Sequence, residues 1–280
     1  MDSPLENLAL RAKDGDKNAL EEIVRRIQHR IFGLSLRMLG YPADAEDAAQ
    51  EIIIKIITHL SEFRGECSFL FWACRIASNH LLTARKQKAE ENGVSLDLLE
   101  DMIGDHHTEY RLSVHTTPET DLLRAESRAT CVQTLLISLD RDERLAFILG
   151  EIFEFNSKEG AFILDVSPEA FRKRLSRGRA RIRGFMLRNC GLVNNRNPCH
   201  CDRRVSQDLQ NDMRSREPLL FVSGNPPQNN DYVLRRLREL NEVERVAFLF
   251  RTYPDYAPPD SFVEFFKDLI ESGAYRILTD

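Results

Sequence analysis

Residues 167–188, SPEAFRKRLSRGRARIRGFMLR, carry eight basic residues and a single acid, Glu169. The whole chain has a formal net charge of -5, so this segment is a basic island in an acidic protein. Ser167 is a favourable N-cap residue, and Pro168 fits the first position of a helix. The stretch therefore predicts a basic helix, and its concentrated positive charge favours a phosphate-bearing partner.

The apolar and small residues of this helix recur at helical spacing and predict one buried stripe: Phe171, Leu175, Gly178, Ile182 and Phe185. Another set falls on a different face, where it is free to meet a partner: Glu169, Arg172, Lys173, Ser176 and Arg177. The alternative is an ordinary helix whose basic face is only solvated.

A second predicted helix comes directly before the basic one. Residues 157–164, SKEGAFIL, predict a short helix opened by Ser157, and residues 165–167 form a tight connection. A short helix, a tight turn and a basic second helix predict a helix-turn-helix, in which the second helix enters the major groove of DNA.

Length and composition exclude several classes of protein. A chain of 280 residues predicts about two domains, and no apolar run reaches the roughly eighteen residues of a membrane helix. The N-terminus lacks a signal pattern, so we expect a cytoplasmic protein. Six cysteines are too few for a disulfide scaffold. No catalytic set of residues emerges, so we expect binding and not an enzyme.

The segment DAEDAAQEIIIKIITHL, within residues 43–60, predicts a helix with acids in its first turn, where they suit the helix dipole. One face is apolar and predicts core contacts: Ala49, Ile52, Ile53, Ile56 and Leu60. The other side combines Asp47, Gln50 and Glu51 with Ile54. An apolar residue among carboxylates indicates a protein-docking surface, with a solvated face as the alternative.

The segment FRGECSFLFWACRIASNHLLTARKQK, residues 63–88, combines a loop with an aromatic helix. Its first five residues predict the loop, and Ser68 opens a helix that ends in Arg85, Lys86 and Lys88. Aromatic rings beside a basic helix end are typical of single-stranded DNA binding, because bases stack and phosphates pair. Aromatic residues of an ordinary core are the alternative.

DAEDAAQE followed by FRGECSFLFWACRIASNHLL resembles region two of bacterial RNA polymerase sigma factors of the extracytoplasmic-function group. Residues 135–183, with the helix-turn-helix, resemble region four of the same group. The resemblance implies an all-α fold with two helical DNA-binding domains. It implies a region two domain in residues 1–90 and a region four domain in residues 127–188. The acidic composition of residues 91–126 predicts a linker between them, and residues 189–280, beyond the resemblance, are predicted to form a helical C-terminal extension.

The resemblance also implies roles for matching positions. The helix that grips the polymerase matches Asp44, Asp47, Gln50, Glu51 and Ile54. The loop that captures a flipped base of the minus-ten element matches Phe63, Arg64, Gly65, Glu66 and Cys67. Trp72 and Arg75 match positions at the melting fork. Asn79 matches a residue that reads the minus-ten element. The face that reads the minus-thirty-five element matches Arg172, Lys173, Ser176 and Arg177.

Three positions depart from the family pattern. Cys67 stands where a small polar residue is usual, and Phe171 is bulkier than the usual Val. Gly160 replaces an apolar residue in the first helix of the helix-turn-helix, and we expect it to weaken that helix by about 1 kcal/mol. These departures bear on the promoter sequence more than on the function.

The expected function is that of a transcription initiation factor, with core RNA polymerase and promoter DNA as partners and an anti-sigma factor as a further candidate. The rival interpretation is a stand-alone helix-turn-helix regulator that binds duplex DNA without polymerase. Such a regulator has no need of DAEDAAQE or of the FRGEC loop.

Three cysteines lie in the stretch NCGLVNNRNPCHCDRR, residues 189–204: Cys190, Cys199 and Cys201. They indicate a site for zinc or another metal, or a thiol sensor, with thiols packed in a loop as the alternative. A fourth ligand stays open, and His200 lies between two of the cysteines. The other cysteines are interpreted as small buried residues: Cys67, Cys74 and Cys131.

The remainder of the extension predicts a polar linker at 205–228 and amphipathic helices at 231–251 and 260–272. Two amphipathic helices cannot bury themselves alone, so they must dock on the sigma-like domains, on each other across a dimer, or on a partner. A tail that acts mainly as a metal or redox sensor is a further alternative.

Overall fold

A computed structural model of the protein describes residues 4–84, 94–104, 117–210, 219–221, 230–252 and 260–272. These residues are helical and contain no β-strand, apart from one isolated backbone bridge between Cys190 and Cys199. The predicted all-α class is thereby confirmed. None of the helices in these ranges combines the length and the apolar character that crossing a bilayer requires.

The helices, in chain order, are α1 (Leu5–Lys13), α2 (Lys17–Leu39), α3 (Pro42–Thr58), α4 (Phe69–Thr83), α5 (Leu96–Gly104), α6 (Pro118–Ile137), α7 (Arg141–Phe147), α8 (Ser157–Leu164), α9 (Pro168–Asn189), α10 (Cys201–Gln210), α11 (Asn230–Glu239), α12 (Glu242–Thr252) and α13 (Asp260–Ser272). A 3-10 turn at Leu60–Glu62 follows α3, and a π-helical turn at Ile148–Ile152 continues α7.

Local capping residues set the boundaries of the first helices. The Asp16 side chain accepts a hydrogen bond from the Ala19 N–H at 3.1 Å and so caps α2. Gly40 ends α2 with a φ of 91°, a left-handed backbone that glycine adopts without steric cost. Ser68 Oγ accepts a hydrogen bond from the Phe71 N–H at 3.4 Å, and α4 therefore starts where the sequence predicts.

The chain divides into two compact units. The first combines Met1–Lys86, Phe155–Arg172 and Tyr256–Asp280, and the second combines Gln87–Glu154 and Lys173–Asp255. These units group segments by contact and not by order along the chain, so that α8 belongs with α1–α4. The domain boundaries drawn from the resemblance stay predictions.

Helix α2 forms the centre of the first unit. It packs against α1, α3, α4 and α13, and its residues 31–39 are all buried. Helix α13 contributes Phe262, which is fully buried and meets the ring of Phe32 edge-on, with ring centroids 6.2 Å apart. A helix of the C-terminal extension thus docks on the segment with region two character, as one of the predicted alternatives requires.

Helix α6 organises the second unit by packing against α7 and α10. Arg144 is only 2% exposed and donates hydrogen bonds of 2.9 Å to the carbonyl oxygens of Leu136, Ile137 and Leu139. A buried guanidinium therefore satisfies the last carbonyl groups of α6, which lack partners within the helix. Helix α12 of the extension packs against the π-helical turn.

Several predicted elements need correction. Residues 231–251 are not one helix, because Asn241 separates α11 from α12: its side chain accepts a hydrogen bond from the Glu244 N–H at 3.0 Å and caps α12. The acidic linker contains α5 and the start of α6, and the first part of the predicted polar linker belongs to α10. Arg85, Lys86, Lys88 and residues 224–227 lie outside the described residues.

Gly160 and Phe171 pack directly against each other, and the expected weakening of α8 stays a prediction. A Cβ atom at position 160 would lie 2.2 to 2.8 Å from three ring carbons of Phe171. The Phe171 ring, which is fully buried, therefore occupies the space that a side chain at 160 would need. The cost of Gly160 in helix propensity is offset by burial of the larger Phe171 ring. The two departures from the family pattern compensate each other, because the small residue at 160 makes room for the large one at 171.

Candidate nucleic-acid interface

The turn between α8 and α9 follows the predicted pattern, with a different cap. Asn156, and not Ser157, caps α8: its side chain accepts hydrogen bonds from Lys158 N–H at 2.9 Å and Glu159 N–H at 3.1 Å. Asp165 ends α8 with a φ of 54°, and Ser167 Oγ accepts a hydrogen bond from the Ala170 N–H at 3.1 Å. The sequence signal for Asn156 is Glu159 three residues later, a capping box.

Helix α9 buries one stripe and exposes another. The predicted core stripe is confirmed, since these residues are all buried: Phe171, Leu175, Gly178, Ile182 and Phe185. The residues predicted to read DNA are all exposed: Arg172, Lys173, Ser176 and Arg177. They follow one another at helical spacing and share one side of α9.

Ion pairs divide the eight basic residues of α9 into two groups. Five of them pair with acids elsewhere in the second unit. These pairs are Arg174–Asp142 (3.3 Å), Arg179–Glu151, Arg181–Glu143 (3.1 Å), Arg183–Glu151 (3.5 Å) and Arg188–Glu100 (2.9 Å). Within the described ranges, Arg172, Lys173 and Arg177 form no ion pair, although Arg172 Nη1 approaches Ser157 Oγ at 3.5 Å.

The division has an electrostatic consequence. A paired guanidinium is already neutralised by a neighbouring carboxylate, whereas an exposed cation without an acidic partner leaves its field in solvent. The unpaired cations are the ones on the predicted DNA-reading face, and the paired ones hold the part of α9 that follows Arg172 to the second unit. The structure therefore separates the basic residues that can meet phosphates or base edges from those that fix the helix.

The predicted polymerase-binding face of α3 is accessible. Asp47 and Glu51 are exposed, whereas Asp44, Gln50 and Ile54 are half-exposed. The opposite stripe is buried as predicted: Ala49, Ile52, Ile53, Ile56 and Leu60. Across the described ranges, no cation forms an ion pair with Asp44 or Asp47. This surface offers free carboxylates around one apolar side chain.

His80 lies beside this face without neutralising it. Its Nε2 is 3.6 Å from Glu51 Oε2, and its Nδ1 is 2.7 Å from Lys55 Nζ. Burial and the Lys55 ammonium hold the pKa of His80 below its usual value, so the imidazole is uncharged at neutral pH. The Glu51 carboxylate therefore keeps its charge available to a partner.

The predicted base-capturing loop divides into an anchor and a tip. Phe63 is only 2% exposed, and its ring meets those of Phe69 and Trp72 at centroid distances of 5.2 and 5.5 Å. The Phe63 ring therefore packs in the aromatic cluster beneath the loop, and its predicted contact with a base stays a prediction. Arg64, Gly65 and Glu66 are exposed, and Cys67 is half-buried.

Residues predicted to contact melted DNA differ in accessibility. Asn79 is exposed, whereas Trp72 is half-buried in the aromatic cluster. Arg75 is engaged by the turn that ends α8: its Nη2 lies 2.9 Å from Asp165 Oδ1 and its guanidinium carbon 5.2 Å from the centroid of the Phe162 ring. The Arg75 side chain is therefore partly engaged by this turn and remains partly accessible.

The cysteines of the extension lie beside a fourth one. Burial raises the pKa of Cys190 to about 12 and raises those of Cys199 and Cys201. Surrounding protein and these three thiols raise the pKa of Cys131 well above its ordinary value. Cys131 is nevertheless exposed, so its interpretation as a buried apolar residue is wrong, whereas that of Cys74 is confirmed.

No three His, Cys, Asp or Glu side chains within the described ranges are arranged to hold a metal ion. The zinc or other metal site proposed for Cys190, Cys199 and Cys201 therefore stays a prediction.

Sequence reasoning missed two buried charged residues, one that positions α9 and one that caps α6. Glu151 is only 3% exposed and receives Arg179 and Arg183, while its backbone carbonyl accepts a hydrogen bond from Arg251 at 2.8 Å. Arg144 caps α6 from within the core. No sequence spacing marks either one, because a buried charge is recognised only by the partners that surround it.

Comparisons with known proteins agree with this geometry. The model of Sigma-70 region 2 matches residues 23–91, and that of Sigma-70, region 4 matches residues 129–182. The RNA polymerase sigma-H factor of Pseudomonas aeruginosa is 34% identical over 181 residues, which cover 63% of this chain and 91% of that protein.

Two further relatives carry the name ECF RNA polymerase sigma-E factor. That of Haemophilus influenzae is 30% identical over 182 residues, which cover 62% of this chain and 91% of that protein. That of Escherichia coli (strain K12) is 31% identical over 178 residues, which cover 62% of this chain and 90% of that protein. With the helix-turn-helix, the acidic α3 face and the all-α fold, these matches show that the chain belongs to the extracytoplasmic-function group of RNA polymerase sigma factors and is a transcription initiation factor.

Proposed function

We propose that the chain uses two separate surfaces, the α3 face for core RNA polymerase and the α9 face for the upstream promoter element. The observation that carries the proposal is the division of the α9 cations. Arg172, Lys173 and Arg177 remain exposed and unpaired within the described ranges, on the side opposite the buried stripe. Cations in this position provide phosphate contacts, and a bidentate Arg can also read a guanine edge.

The α3 face supports the polymerase contact. Asp47 and Glu51 lie one turn apart, with Ile54 on the same side, and the exposed carboxylates contribute little to stability. A basic, partly apolar surface on the polymerase would complement this face. Ile54 supplies apolar contact, and the carboxylates supply orientation and partner choice.

The tip of the loop at Arg64, Gly65 and Glu66 is proposed to capture unpaired bases of the near element, with Asn79 as a second contact. Phe63, Phe69 and Trp72 form the rigid support beneath it. In this proposal the protein works by binding, in the cytoplasm where polymerase and promoter DNA meet. An anti-sigma protein that covered the α3 or the α9 face would block this role.

Separate loss of the two surfaces tests the proposal. We expect Asp47→Lys with Glu51→Lys to abolish association with core polymerase while leaving binding of the protein to duplex promoter DNA unchanged. Lys173→Ala with Arg177→Ala should abolish binding to duplex promoter DNA while leaving association with core polymerase unchanged. The matched control is Asp14→Lys with Glu21→Lys, two exposed acids of the same unit that lie off α3.

Association is measured by fluorescence anisotropy of labelled protein with purified core polymerase, and DNA binding by footprinting. A chain that protects promoter DNA fully but never associates with polymerase would be a stand-alone regulator. Normal polymerase binding by the α3 double variant would refute the assignment of that face.

A further inference from the structure

Four cysteines converge within the second unit. Helix α9 ends at Asn189, and the chain then turns back so that Cys190 and Cys199 form a parallel backbone bridge. The bridge is closed by Gly191 N–H donating to Cys199 O at 2.8 Å and Cys199 N–H donating to Asn189 O at 2.9 Å. Cys201 follows two residues later, as the first residue of α10.

Contacts between α6 and α10 bring the fourth cysteine to the same place. Arg124 of α6 binds Asp202, and the Arg128 guanidinium lies close enough to Cys201 to lower the pKa of its thiol, against the larger effect of burial. Arg124, Arg128 and Cys131 are spaced by four and three residues, so they share one face of α6. The face that holds the start of α10 therefore presents Cys131 one turn further on.

The loop is built around the backbone carbonyl of Cys190, which accepts hydrogen bonds from the Val193 N–H at 3.1 Å and the Asn194 N–H at 3.0 Å. Gly191 permits the close approach of the loop ends, because a Cβ atom there would lie 2.7 Å from His200 Nδ1 and 2.8 Å from Cys199 O.

We propose that Cys131, Cys190, Cys199 and Cys201 form a four-thiolate site for a thiophilic divalent metal ion, with Zn²⁺ as the ion of reference. Four sulfur ligands suit a closed tetrahedral zinc site. In the described arrangement no three of these side chains are yet disposed as ligands, so binding turns the sulfurs toward a common point. Each coordinating thiol releases its proton to solvent as the metal–sulfur bond forms.

Filling the site would also order the extension. Arg245 of α12 donates to the carbonyl oxygens of Val193 (2.7 Å) and Leu237 (2.6 Å), and Asn194 donates to Glu242 at 2.8 Å. The cysteine loop is thus held by the start of α12 and the end of α11. A metal ion that fixed the loop would fix these helices with it.

The test uses the full-length protein, reduced, stripped with a chelator and titrated with Zn²⁺ against a chromophoric competitor, and in parallel with Co²⁺. We expect one tightly bound ion per chain and a Co²⁺ spectrum of tetrahedral thiolate coordination. Cys131→Ser should weaken Zn²⁺ binding by more than about 100-fold, the upper end of the cost of losing only an outer-shell partner. Cys67→Ser, a half-buried cysteine outside the cluster, is the matched control and should bind as wild type does.

Two further readouts separate the site from its alternatives. Zn²⁺ should slow hydrogen exchange in residues 190–201 and protect the four thiols from alkylation, and Cys131→Ser should lose both effects while keeping its helical circular dichroism. His200→Ala should retain binding. Loss of binding in His200→Ala but not in Cys131→Ser, absence of bound metal in the wild type, or protection of the thiols through a disulfide would each overturn the proposal.

Discussion

Replacing arginines of the two groups on α9 should have opposite consequences for DNA binding and for stability. Arg177 is exposed and unpaired within the described ranges, so Arg177→Ala removes a DNA contact without removing a structural one. If Arg177 contacts a base edge, we expect a loss of about 1–3 kcal/mol, which is about 5- to 150-fold in Kd. If it contacts a phosphate, the slope of log K against log salt should fall by about 0.9.

Arg179→Ala is the counterpart on the same helix. Arg179 pairs with Glu151, which is only 3% exposed, and breaking a buried pair completely costs about 3–5 kcal/mol. Arg183 stays close to Glu151 at 3.5 Å, and the Arg179 side chain is itself 37% exposed. We therefore discount the loss to about 1–2 kcal/mol of unfolding free energy, with little change in DNA affinity.

The assay measures both quantities for both variants. Urea unfolding followed by circular dichroism gives the stability, and anisotropy with a labelled upstream-element duplex at several salt concentrations gives the affinity. Equal losses of DNA affinity in the two variants would refute the division of α9. So would a loss of stability in Arg177→Ala as large as that in Arg179→Ala.

Three other changes test the packing around the site. Gly160→Ala should destabilise the protein by about 1–2 kcal/mol, because the clash with the Phe171 ring exceeds the gain in helix propensity. Adding Phe171→Val should recover part of that loss. If the unfolding free energies of the two single variants, measured in urea, simply add up in the double variant, the two positions do not compensate each other in size. Arg144→Met should cost about 3 kcal/mol or more, because three buried carbonyl groups lose their donor; an unchanged melting temperature would show that this cap is dispensable. Asp165→Asn should raise affinity for a single-stranded minus-ten oligonucleotide by up to about fivefold, because the exposed Arg75–Asp165 pair is worth about 1 kcal/mol at most. An unchanged affinity, measured by anisotropy of the labelled oligonucleotide, would show that the pair does not compete with DNA.

Local patterns predicted α3, α4, α8 and α9 and both faces of α3 and α9, whereas α5 and part of α10 lie in segments predicted as linkers. Helical spacing identified the buried stripe of α9, and the same spacing left Arg172, Lys173 and Arg177 outside it. Ser68 set the start of α4 because capping preferences act over a few residues. These features depend on neighbours in sequence, and a single sequence contains them.

Long-range partners could not be predicted in this way. The α9 arginines look alike in sequence, and their partners Glu100, Asp142, Glu143 and Glu151 decide which of them are neutralised. Cys131 lies 59 residues before Cys190 in the chain, and the packing of α6 on α10 brings it close. Phe63 was assigned to the base-capturing loop without its packing, because the sequence does not show that its ring meets those of Phe69 and Trp72.

Promoter-dependent initiation by reconstituted polymerase tests the central claim most directly. Core polymerase is mixed with the wild-type chain, with the Asp47→Lys, Glu51→Lys variant or with the Lys173→Ala, Arg177→Ala variant, and run-off transcripts from genomic fragments are sequenced. We expect discrete start sites with the wild type, none with the α3 variant, and strongly reduced start-site selection with the α9 variant. Transcripts that are the same with and without the wild-type chain, or discrete start sites with the α3 variant, would contradict the assignment of this chain's two surfaces.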